Sequence, residues 1–360
     1  MSDAHITAYD KQALPAAKGG FMTYQEMLEN AKTCIGPFCN ACPVCNGRAC
    51  GNKIPGPGAK GTGDVAIRNF EAWRNIRVNL DTISENKKPD TSLELFGRTF
   101  RYPFFAGPVG AVQLHYGDKY NDIQYNDILV PACADAGIAA FTGDGTNPDV
   151  MRSACSAIHA AGGTGVPTVK PWDSETLKEK VRLVDGSGSF AVAMDIDAAG
   201  LPFLQNMTPP AGSKTTAELK EIIESFRKPF IVKGIMTVKG ALKAMEAGAA
   251  GIVVSNHGGR VLDQCPATAE VLPEIVDAVG GTMKILVDGG IRTGVDVFKA
   301  LALGADAVII ARPYVTALYG GEQEGIALYT EKLGAELRDA MKMCGVSSLS
   351  EISRDQVRLP

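Results

Sequence analysis

From Phe104 onward the chain alternates short apolar runs with stretches of helical period. The runs are FFAGPVG (104–110), IAAFTGD (138–144), VPTVKP (166–171), FAVAMDID (190–197), FIVKGI (230–235), GIVVSNH (251–257), KILVDGG (284–290) and AVIIARP (307–313). Strands that are apolar throughout are buried on both faces, which implies a parallel sheet. Between them lie segments such as 238–248, whose apolar positions recur with the period of a helix. Eight strand–helix units in series, with no Gly-x-Gly-x-x-Gly opening, predict an α/β fold of the (β/α)8 TIM-barrel type. A doubly wound open sheet is the alternative. The first 63 residues follow a different pattern, so the boundaries are an extension over 1–63 and a barrel over 64–360. The extension holds one helix, 24–33, then a cysteine cluster at 34–50, then a Gly/Pro-rich stretch at 52–63 that excludes regular structure. A further helix is expected over 64–77, with Phe70, Trp73 and Ile76 on one side.

Polar residues punctuate the C-terminal end of nearly every predicted strand: Asp144, Lys170, Asp195 and Asp197, Lys233, His257, Asp288 and Arg312. In a closed parallel barrel those ends share one rim, where active sites are built.

Three groups on that rim carry recognisable chemistry. Strand six runs into Ser255-Asn256-His257-Gly258-Gly259-Arg260. A histidine set among small residues at a strand end faces the barrel mouth. With Arg260 nearby, one group can take a proton while the other grips a carboxylate, which suits oxidation of a 2-hydroxy acid. The competing view is a hydrogen-bonded structural histidine. Strands seven and eight end in Asp288-Gly289-Gly290-Ile291-Arg292 and Ala311-Arg312-Pro313. Glycines that admit backbone N–H groups, a helix start at Thr293-Gly294 and two arginines make a phosphate site at the strands where barrels place one. Tight turns with solvated arginines are the plainer reading. Lys233 ends strand five, where a buried cation needs an anionic partner such as a reduced flavin. Asp195 and Asp197, expected together at the end of strand four, offer a carboxylate to orient His257.

Composition narrows the classes. With 36 basic and 40 acidic residues the chain carries a formal charge of −4, which excludes the basic footprint of a nucleic-acid binder. No apolar run is long enough for a membrane span, and the first twenty residues lack a signal-peptide layout, so the cytoplasm is the expected location. Five of the nine cysteines fall within 34–50. Cys133, Cys155, Cys265 and Cys344 are expected to be buried thiols.

The segments IVKG (231–234), GIVVSNHGGRVLD (251–263) and VDGGIRTGVDVFKALALGADAVIIARP (287–313) closely resemble the FMN-dependent 2-hydroxy-acid dehydrogenases and oxidases. The likeness continues more weakly at 103–110 and 344–353. The resemblance implies FMN as cofactor, a small-molecule substrate and a homo-oligomer, commonly a tetramer. Position by position, it assigns His257 as the base, Asp197 as its partner and Arg260 as the carboxylate ligand. Pro108, Val109 and Gly110 would lie against the flavin, with Lys170, Lys233 and Ser255 beside it. Asp288, Gly289, Gly290, Arg292, Ala311 and Arg312 would hold the ribityl chain and phosphate. Five features depart from the family pattern. The loop after strand four lacks the family's second arginine, no N-terminal active-site tyrosine is found, Trp172 stands nearest the position of the tyrosine after strand three, Lys170 stands where the family has glutamine, and Asp195 stands where it has threonine. A simple substrate such as lactate or glycolate is therefore not implied.

The cysteines run Cys34-x4-Cys39-x2-Cys42-x2-Cys45-x4-Cys50. Cys39, Cys42 and Cys45 match the start of a ferredoxin ligand pattern, with Cys50 one residue late as the fourth. An iron–sulfur cluster, a zinc site and unliganded thiols all stay open; a cluster would bring in an electron-transfer partner. An FMN-dependent isomerase of the type 2 isopentenyl-diphosphate kind, or a non-catalytic flavin or metal protein, are the competing functions.

Overall fold

The computed structural model describes residues 22–201, 204 and 207–360. All eight predicted strands form and close into one parallel barrel in chain order. They are β1 (Phe104–Ala106), β2 (Ala140–Thr142), β3 (Gly165–Val169), β4 (Val192–Asp195), β5 (Phe230–Ile235), β6 (Gly251–Val254), β7 (Lys284–Val287) and β8 (Ala307–Ile310). All but β5, which fills its run 230–235, stop short of the C-terminal end of their apolar runs. The excess residues turn outward at the C-terminal end and become the rim.

The barrel interior and the helix-facing sides are both dry. Phe104, Phe105, Phe141, Val192, Met194, Ile252, Val253 and Leu286 are all fully buried, as strands covered on both faces require. A hairpin of Leu93–Leu95 and Arg98–Phe100 covers the opposite end. There Phe100 packs edge-on to Phe105 with ring centres 4.9 Å apart, and Arg98 bonds Thr164 just ahead of β3. The final helix, Arg312–Met343, opens directly after β8 with Pro313 in its first turn, and bends at Glu322.

Among the described residues two helices precede the barrel. α1 (Tyr24–Cys34) begins with a capping box made by Thr23 and Glu26 and lies on the final helix, with Tyr24 stacked on Tyr329. α2 (Asp64–Asn75) starts without a side-chain cap. Its tertiary contacts matter more than its propensity. Trp73 is fully buried and donates from Nε1 to the carbonyl of Gly289 at 2.7 Å. Asn69 and Asn256 bond each other reciprocally at 2.8 and 2.9 Å. α2 thus ties together the loops that follow β6 and β7.

Residues 35–63 contain no helix or strand. They run along the rim, pinned by Gly36 N–H to the Tyr116 carbonyl and Lys60 N–H to the Gly259 carbonyl, and by Thr62 to Asp263. Cys265, expected to be buried, is only half-buried because it sits in the rim loop after β6. Cys133, Cys155 and Cys344 are buried as expected. No helix among the described residues is long and apolar enough to cross a membrane.

Candidate active site

The C-terminal ends of the strands surround a cavity of about 500 Å³, within the range of small-molecule sites. On the β1 side it is lined by Pro108, Val109 and Gly110, and on the β8 side by Ala311 and Arg312. Lys170, Lys233, His257 and Arg260 face it from the middle strands, and Asp288, Gly289, Gly290 and Arg292 from β7. Asp197 and Ser255 are not on its wall. Both stand behind His257.

His257 adopts a left-handed backbone, with φ of 55°. That conformation is costly for a side chain with a Cβ and persists where neighbours enforce it. Here the Ser255 hydroxyl accepts the His257 N–H at 3.1 Å, and Asp197 Oδ1 lies 3.0 Å from Nδ1. The turn aims Nε2 away from the carboxylate. Asp197 itself belongs to the short helical turn Ile196–Gly200, beyond the end of β4. The expectation that both aspartates end the strand is therefore corrected. They nevertheless converge: one ligand atom each of Asp195, Asp197 and His257 lies within 4.8 Å of the others. The room for Asp197 comes from Gly234, where a Cβ would stand 2.5 Å from the aspartate Cβ and Cγ.

Asp195 does different work. It is buried and takes Lys170 Nζ at 2.6 Å and Lys233 Nζ at 3.1 Å. Burial alone would raise its pKa, but the two ammonium groups outweigh that and hold it below the ordinary carboxylate range. Lys233 also lies 3.8 Å from Asp288 Oδ2. Its burial favours the neutral amine, yet Asp195, Asp197 and Asp288 keep it firmly charged. Asp288 is pushed upward, by burial first, against the pull of Lys233 and the Ser255 hydroxyl. The floor therefore presents a fixed cation set in compensating carboxylates.

The three cavity arginines are different. Among the described residues none of Arg260, Arg292 and Arg312 has a carboxylate within 4 Å. Arg312 donates to the Gly258 carbonyl at 2.9 Å, and Arg292 to those of Cys45 and Ile291, both at 2.7 Å. Arg260 donates to the Gly56 carbonyl and lies 3.2 Å from His115 Nε2. Burial, with Arg312 nearby, lowers its pKa to about 10. Half-buried cations with no carboxylate partner are receptors for anions.

His115 and Tyr116 escaped the sequence reading. They end the short helix Val112–Tyr116 that follows β1 and line the cavity beside Arg260. Burial, then Arg260 and Arg312, push His115 down to about 3, so its ring is neutral. The available signal was an HY pair nine residues beyond the end of β1. Trp172 is not a cavity aromatic: it is fully buried and donates to Asp144 Oδ2 at 2.6 Å.

Compared with known proteins, the chain matches the FMN-dependent dehydrogenase family over residues 57–203 and 203–359. It is 49% identical over 324 residues to a peroxisomal (S)-2-hydroxyacid oxidase of Arabidopsis thaliana, covering 81% of this chain and 87% of that one. It is 31% identical over 352 residues to the 4-hydroxymandelate oxidase of Amycolatopsis orientalis, covering 87% and 96%. Among solved structures, a mandelate oxidase variant with an FMN adduct superposes with a TM-score of 0.71 at 29% identity, covering 84% of this chain and 94% of that one. The chain belongs to the FMN-dependent dehydrogenase family, and it is an oxidoreductase.

The cavity fits the cofactor. Arg292 and Arg312, lacking carboxylates, would take the FMN phosphate together with the backbone at Gly289 and Gly290. Lys233 would face the flavin ring, and Pro108–Gly110 would lie along it.

Proposed function

We propose that this protein oxidises a 2-hydroxy acid to the 2-oxo acid. The observation that carries the reading is the His257–Asp197 pair, 3.0 Å apart, set on the same rim as a half-buried Arg260 that lines the cavity. Arg260 receives the substrate carboxylate. The neutral His115 and the phenol of Tyr116 complete that side of the pocket in place of a second arginine. His257 takes the hydroxyl proton at Nε2, and Asp197 at Nδ1 steadies the imidazolium that results. Bound FMN supplies a hydride acceptor. Lys233 would supply positive charge to the flavin ring, and Asp195, itself paired with Lys170, holds Lys233 in place.

Replacement of the second arginine by less charged groups favours substrates whose remainder is not itself anionic. A cytoplasmic location and a homo-oligomeric assembly belong to the same reading; fractionation and light scattering check them.

The deciding measurement is bleaching of the bound flavin by a panel of 2-hydroxy acids without oxygen. Bleaching by at least one is expected, and His257→Ala should slow it by roughly 10²–10⁴-fold. Unchanged bleaching in that variant overturns the mechanism. An isomerase would turn over with no net change in the redox state of the flavin.

A further inference from the structure

Residues 35–63 are a long run without helix or strand inside a compact fold, and such a segment needs something to hold it. Its own packing is tight. A Cβ on Gly58 would stand 2.3 Å from the Gly51 carbonyl oxygen, and one on Gly47 would press on the backbone of Ala66 in α2. The conspicuous chemistry of the run is sulfur.

The cysteines divide into two sets. Cys34 closes α1, and its thiol is 3.3 Å from the Tyr319 carbonyl and 3.5 Å from that of Ala31. Cys39, Cys42, Cys45 and Cys50 are half-buried and form no disulfide. They lie near enough to act on one another electrostatically. Among the described residues no three of these sulfurs come within 4.8 Å of one another. Around one tetrahedral zinc ion, with Zn–S bonds of about 2.3 Å, ligand sulfurs stand only about 3.8 Å apart. In an iron–sulfur cubane each thiolate binds its own iron, so the sulfurs stand further apart.

The surroundings suit a group with net negative charge. Arg292 Nη2 is 3.6 Å from Cys45 Sγ, and its Nε is bonded to the Cys45 carbonyl. Lys32 acts on Cys42, and Cys50 on Arg260. Both arginines line the cavity, so a single side chain separates the sulfur group from it. The four thiols also precede residue 57, where the match to the family begins.

We propose that Cys39, Cys42, Cys45 and Cys50 bind a four-iron, four-sulfide cluster against the arginine wall of the flavin cavity, and that electrons leave through it one at a time. The relay rests on the proposed 2-hydroxy-acid oxidation; the cluster itself does not. The electrons balance. The substrate gives a hydride to the cofactor and a proton to His257. The two electrons then pass singly through the cluster to two equivalents of a one-electron carrier protein of higher potential, and the two protons go to solvent. Dioxygen is not required.

The test begins with full-length protein purified without oxygen. About four iron and four sulfide per chain are expected. Dithionite titration should consume about three electrons per chain, two for the flavin and one for the cluster, with a low-temperature paramagnetic signal at the end. Cys42→Ser and Cys45→Ser should lose the iron and the third electron, whereas Cys34→Ser should keep both. With a 2-hydroxy acid as donor and cytochrome c as probe, Cys42→Ser should reduce the probe at least ten-fold more slowly, while its flavin still bleaches at the normal rate. Zinc in place of iron, or no metal in the wild-type protein, overturns the cluster even if the variants fail to fold. Undiminished cytochrome reduction by Cys42→Ser overturns the relay. A wild-type protein that holds iron and sulfide but bleaches with no hydroxy acid sinks the proposed function and leaves the cluster standing.

Discussion

His115 shows how a single side chain can couple stability to pH. In the native protein burial, Arg260 and Arg312 hold its pKa near 3, against an ordinary 6.5. Above pH 6.5 the ring is neutral in both native and unfolded chains. As pH falls below that, the unfolded chain gains a proton that the native chain refuses, so the native state loses stability down to about pH 3. The slope is about 1.4 kcal/mol per pH unit. Carboxylates add slopes of their own, so the measurement is a difference. His115→Gln keeps an acceptor for Arg260 and removes the titration. Between pH 7 and pH 5, urea unfolding of the wild type should lose about 2 kcal/mol more than that of the variant. Equal losses would show that the ring is protonated in the native state. The same neutrality explains how His115 shares the carboxylate pocket: a charged ring 3.2 Å from Arg260 would repel it.

At the scale of elements, the strands were legible and the turns that use them were not. β1 to β8 declare themselves because burial on both faces demands unbroken apolar runs, and His257, Asp288 and Arg312 follow from where those runs stop. Asp197 was assigned to the strand because its run, 190–197, is continuous with β4 in the sequence; its position in a helical turn depends on Gly234 from the neighbouring strand. His115 meets Arg260 across 145 residues of chain, a contact that no local pattern carries. Gly234 tests the element-level account. It has a φ of 104° and no space for a Cβ beside Asp197. Gly234→Ala should displace Asp197 and slow flavin bleaching at least ~10-fold, the effect of losing the partner of a general base. FMN content should stay near normal, because Gly234 is not on the cavity wall. Stopped-flow bleaching at the wild-type rate would show that the carboxylate is not held by this glycine.

The whole molecule is organised around a helix that belongs to neither the barrel's repeating units nor the cysteine loop. α2 starts where the sequence placed it but ends at Asn75, with Ile76 past its end and Phe70 off its buried face, and its sequence does not reveal its partners, since Trp73 and Asn69 look like any buried face. In the fold, Trp73 holds the β7 loop and Asn69 holds the β6 loop. The Asn69 Oδ1 atom also takes the Thr268 N–H at 3.2 Å. Removing that side chain leaves buried donors on Asn256 and Thr268 without their partner, at about 1–3 kcal/mol each. Asn69→Ala should therefore lower stability by roughly 2–6 kcal/mol, and it should also loosen two loops that together face the cofactor. Ligand linkage separates these effects. FMN at one hundred times its dissociation constant should add about 2.7 kcal/mol to the wild-type protein. At the same concentration it should add measurably less to Asn69→Ala, because the variant's site must be organised by the ligand it binds. Urea unfolding with and without FMN reads both quantities. If the increment is identical in the two proteins, the helix supports the fold alone and the site draws its order from the barrel.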